Sequence, residues 1–165
     1  MTFGAQFKFV SVACLLVGVQ ALAADAPSTA DVLGKLHRSN LKEVEMGKMA
    51  ESHGQSKDVK KFGKMLVTDH SAADKKVSQL AKEEKIDLTS NTPAESAEKM
   101  PMGAEFDAAF AKSMLEDHKK DVNEVKTALD ATSDPKLKRL LNDIVPVLEK
   151  HQATAQKLVD QGNKS

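Results

Sequence analysis

Apolar residues recur at three- and four-residue steps in four stretches of this chain, and no stretch alternates with the period of two that marks a half-buried strand. The first stretch follows Ser28-Thr29-Ala30-Asp31, a helix-capping signature, and runs to about Glu51 with Val32, Leu36, Val44, Gly47 and Ala50 on one face, before Gly54 ends it. The second opens near Ser56 and carries Val59, Phe62, Leu66, Ala73, Val77 and Leu80 until Ile86-Asp87 breaks the pattern. The third, from about Ala104 to Ala131, aligns Phe106, Phe110, Met114, Val125 and Ala128. The fourth begins at Ser133-Asp134-Pro135, a cap followed by a proline in the first turn, and repeats Leu137, Leu141, Ile144, Leu148, Ala155 and Leu158.

Connection lengths turn four helices into a topology. Short turns near Gly54 and Ser133 imply two antiparallel hairpins, whereas the polar, proline-containing stretch from Asp87 to Gly103 is long. Extended chain covers about 3.3 Å per residue, so that stretch can traverse helices of about 40 Å and leave helices two and three parallel. The expected fold is all-α, a ferritin-like four-helix bundle with a long crossover between helices 2 and 3.

The same two helices carry a repeated pattern, Phe62-Gly63-Lys64-Met65-Leu66-Val67-Thr68-Asp69-His70 and Phe110-Ala111-Lys112-Ser113-Met114-Leu115-Glu116-Asp117-His118. At about 100° per residue, Asp69 and His70 straddle the middle of the second helix's apolar stripe, and Asp117 and His118 do the same in the third. Asp121 lies one turn further on. Asn40 and Glu43 fall within the stripe of the first helix, and His151 stands between Leu148 and Ala155 on the fourth. One polar layer at mid-height is therefore expected, with contributions from all four helices. His37 and His53 lie off it and read as surface residues.

Burying unpaired carboxylates costs several kcal/mol, so such a layer needs a physical reason. A divalent metal ion (Zn, Fe or Cu) supplies one, with His70, His118, His151, Glu43 and Asp121 as candidate ligands and Asn40, Asp69 and Asp117 orienting imidazole N–H groups behind them. The competing reading is a hydrogen-bonded Asp-His layer that fixes helix register without a metal. Di-iron bundles place Glu three residues before His on two helices. Here Val67 and Leu148 stand three before His70 and His151, so that motif is absent. Pro146 removes one backbone donor inside the fourth helix and bends it one turn before His151. Met46, Met65 and Met114 read as core filler, and Met100-Pro101-Met102 is a weak hint of soft-metal contact.

Composition removes several function classes. Lys+Arg and Asp+Glu both number 24 in 165 residues, and Trp and Tyr are absent, so neither a basic field nor a stacking surface for nucleic acid is present. The N-terminus has the form of a secretory signal: Lys8, an apolar run from Phe9 to Val19, and Ala21-Leu22-Ala23 as a cleavage site. The expected organisation is a leader at 1–23, a flexible segment at 24–30 and a bundle domain at 31–160. Removing the leader takes Cys14 with it, so the mature protein would have no thiol chemistry, and no apolar run long enough to span a bilayer. The expected location is the periplasm.

Segments Asn40 to Glu45, Val59 to Phe62, Met65 to His70, Phe106 to Phe110, His118, and Pro146 to Ala155 together resemble the exported bacterial family called domain of unknown function 4142. The resemblance covers roughly Asp31 to Leu158. It implies a ferritin-like four-helix fold, often described as a predicted outer-membrane protein, with no established activity. Phe110 departs from the family, which commonly shows Tyr there. Three readings remain at this level: a non-enzymatic periplasmic bundle linked to envelope stress or metal handling, a metal-dependent enzyme, and an interaction module acting through charged faces such as Lys57, Lys60, Lys61 and Lys64.

Overall fold

The computed structural model describes residues 27–88 and 100–163; the expected leader and most of the crossover lie outside them. Four helices account for nearly all of the described chain: α1 (Thr29–His53), α2 (Lys57–Glu83), α3 (Phe106–Ala131) and α4 (Pro135–Gly162), with one 3-10 turn at Gly103–Glu105. No strand occurs among the described residues, and none of their helices is long and apolar enough to cross a membrane. The architecture is an all-α four-helix bundle, as the periodicity predicts.

Helix starts follow the capping chemistry. Ser28 Oγ accepts from Asp31 N, Ser56 Oγ from Val59 N, and Asp134 Oδ1 from Lys136 N at 2.8 Å, each satisfying a donor that the first turn leaves orphaned. The third helix begins two residues later than its sequence pattern suggests. Gly103, at φ +74°, opens a 3-10 turn there, and the α-helical ladder starts only at Phe106. At the end of α2, Lys85 adopts φ 58°, and Ile86 N donates to Ala81 O while Lys85 N donates to Lys82 O. This paired closure stops the helix and turns Ile86 back onto the core.

The apolar side chains form two clusters rather than one. The first gathers Leu33 of α1, Val77 and Leu80 of α2, Val125 of α3 and Leu137, Leu141 and Leu148 of α4. The second gathers Met46, Phe62, Leu66, Phe110, Met114 and Ala155. The C-terminal half of α2 thus shares a cluster with the C-terminal half of α3, while α1 and α4 contribute their N-terminal halves. Helices α2 and α3 are therefore parallel. Burial of each leucine contributes about 1.5–3 kcal/mol, and the seam between the clusters is where that contribution is missing.

Candidate metal centre

That seam holds the buried polar residues Asn40, Glu43, His70, His118 and His151. Because α2 and α3 are parallel, the two repeats meet position by position. The Phe62 and Phe110 rings lie 5.9 Å apart edge to face, and two turns further on the His70 and His118 rings lie 5.7 Å apart. His151 enters from α4 with ring centroids 5.1 Å from His70 and 5.2 Å from His118. One nitrogen from each imidazole lies within 4.8 Å of the others.

Hydrogen bonding commits the second nitrogen of each ring. His70 Nδ1–H donates to Asn40 Oδ1 at 2.9 Å, His118 Nδ1–H to the Met114 carbonyl at 2.9 Å, and His151 Nε2–H to Asp69 Oδ2 at 2.9 Å. Each acceptor fixes a tautomer and leaves the opposite nitrogen with a bare lone pair. Those nitrogens are His70 Nε2, which is buried without a partner, and His118 Nε2 and His151 Nδ1, which face each other at 3.3 Å. A proton could join the last two. Burial, however, holds His70 and His151 below the usual imidazole range and lowers His118 to about 4, with His151 adding to the effect at both His70 and His118. The rings are therefore neutral at pH 7, and three lone pairs converge in the buried seam.

The remaining candidates occupy different positions. The group of three nitrogens includes no oxygen of Glu43 or Asp121. Glu43 is 1% exposed, and its Oε2 lacks a partner. Burial, reinforced by Asp117 and Asp121, raises its pKa to about 8, so without a metal it carries a proton at neutral pH. Asp121 accepts from Ser39 Oγ at 3.0 Å, and burial raises its pKa as well. The two Asp-His pairs are unequal: Asp69 reaches across to His151 and Lys150, whereas Asp117 pairs with Lys42 of α1 at 3.1 Å. His37 lies off the layer but is only partly exposed, joined to Asp74 of α2 at 2.7 Å, and His53 is exposed beside the Phe106 ring.

The Met114 carbonyl, Lys42 and Ser39 were not legible as site residues. Any helical histidine can bond the carbonyl four residues back, so only the rotamer reveals the first. The chemistry of the set is nevertheless specific. Tetrahedral zinc sites with Zn–N bonds of about 2.0–2.1 Å hold their nitrogens about 3.3 Å apart, the separation of His118 Nε2 and His151 Nδ1. Donation of the second N–H to a carboxylate, amide or carbonyl is the usual support behind a ligating imidazole. No curated protein and no solved structure matches the chain. A family model does, over residues 17–158, and the chain belongs to the family described as domain of unknown function DUF4142.

Proposed function

We propose that this protein is an exported metal-binding bundle of the bacterial envelope, holding one divalent transition-metal ion through His70 Nε2, His118 Nε2 and His151 Nδ1. The observation that carries this reading is the 3.3 Å contact between two nitrogens whose protons are directed elsewhere, with a third buried and unpartnered beside them. Lone pairs at that distance repel unless a cation lies between them. Three neutral imidazoles suit Zn, Cu or Fe, and zinc suits a role in metal handling because it brings no redox chemistry. Export rests on the leader-like pattern ending at Ala21-Leu22-Ala23.

The test is metal analysis of untagged protein, followed by zinc titration against a competing chelator. About one ion per chain is expected, together with a rise in melting temperature that the His70→Ala/His118→Ala/His151→Ala variant lacks while its helical circular dichroism persists. Single His→Gln variants, which retain a polar side chain, should each weaken zinc at least tenfold. Equal thermal shifts in wild type and these variants would remove the site.

A further inference from the structure

A cavity of about 410 Å³ opens between α1 and α3 and runs inward to Asn40 and His70. Its walls are mostly apolar, from Leu36 of α1, Val125 and Ala128 of α3, and Ile144 and Leu148 of α4. Its volume falls within the range of about 300–1,000 Å³ typical of small-molecule sites. At the inner end, Asn40 is 5% exposed; its Oδ1 accepts from His70 Nδ1, which fixes the amide's orientation, and its Nδ2 is a buried donor without an acceptor. A buried amide N–H left unmatched costs about 1–3 kcal/mol, so an acceptor atom supplied there would be stabilising.

The polar atoms around that end define the acceptor. Asp121 and Glu124 line the same cavity, so an anionic head would meet carboxyl groups. An ammonium head would set donor against donor at Asn40. The cationic group at the cavity's mouth, Lys35, is paired with Glu124 at 2.8 Å. We propose that this cavity binds a small, neutral, largely apolar molecule with a carbonyl oxygen at one end, the oxygen accepting from Asn40 Nδ2 and the apolar body lying between α1 and α3.

The proposed contact uses Asn40 Nδ2 and none of the three converging nitrogens, so the experiment uses the protein treated with EDTA. Three probes of equal chain length, 2-octanone, octanoate and octylammonium, are titrated while amide resonances are followed by NMR. The ketone should bind saturably, at least tenfold more tightly than either ion, and shift resonances of Leu36, Val125, Ala128 and Asn40. Asn40→Asp keeps an acceptor for His70 Nδ1–H but loses the donor, and should weaken the ketone at least tenfold. Leu36→Trp and Ala128→Leu fill the cavity from opposite walls, and each should abolish binding with the fold retained by circular dichroism. Absence of saturable ketone binding, equal binding of either ion, or indifference to both filling variants overturns the proposal. Ketone binding in a protein that takes up no zinc would leave this site standing and remove the metal reading alone.

Discussion

At the scale of single residues, the centre is governed by which atoms carry protons. Met114 O, Asn40 Oδ1 and Asp69 Oδ2 each hold one ring N–H, which aims three basic nitrogens inward. Glu43 beside them works in the opposite sense. Its folded pKa of about 8 exceeds the unfolded value of 4.5, so the folded protein keeps a proton that the unfolded chain releases between those pH values. The stability it contributes is full below about pH 4.5 and is lost as pH rises towards 8. The histidines have lowered folded values, so their contribution is present above about pH 6.5 and falls below it, for His118 as pH drops through about 4. Glu43→Gln cannot ionise. Urea denaturation of the metal-free protein should therefore show it gaining on wild type between pH 5 and pH 8 by about 1–4 kcal/mol, because each tenfold difference in proton affinity between folded and unfolded chain is worth about 1.4 kcal/mol. A difference independent of pH would show that Glu43 is not held protonated.

At the scale of elements, the α1–α2 hairpin depends on a contact between backbones. A Cβ built on Gly63 would lie 2.6 Å from Gly47 O and 2.8 Å from Ala50 Cβ, and one on Gly47 would lie 2.7 Å from Gly63 O. The helices cross at these two glycines, and there a methyl group has no flexible side chain to displace. Gly63→Ala should destabilise the protein by about 1–3 kcal/mol or more through overpacking. Gly34 meets only Arg38 Nη1 at 3.4 Å, so Gly34→Ala should gain about 0.5–1 kcal/mol from helix propensity alone. Thermal or urea unfolding of the pair separates the two effects. If both substitutions shift stability in the same direction, the close crossing is not limiting.

At the scale of the whole molecule, a polar seam divides the apolar interior, and its imidazoles come from α2, α3 and α4. α1 borders the seam through Asn40 and Glu43 without supplying a nitrogen. Binding to the folded state alone stabilises it by about 2.7 kcal/mol at a free concentration one hundred times Kd. Hydrogen exchange with saturating zinc should accordingly slow most around His70, His118 and His151, and less in the middle of α1. Uniform slowing along all four helices, or none, would contradict a centre bound to three of them.

The arrangement of polar and apolar residues along the chain determined four helices, the caps of the first, second and fourth, the parallel course of the second and third, and the height at which Asn40, Glu43, His70, His118 and His151 share a layer. Periodicity encodes these because it reports angle and rise along each helix axis, and a long connection permits only certain pairings. Only the tertiary structure decided which partners meet. Asp69 serves the histidine of another helix, Asp117 turns to Lys42, and Glu43 lies outside the group of converging nitrogens. Those outcomes rest on side-chain rotamers, on distances of a few ångströms between neighbouring helices, and on how far burial moves each proton. A helical projection contains none of these.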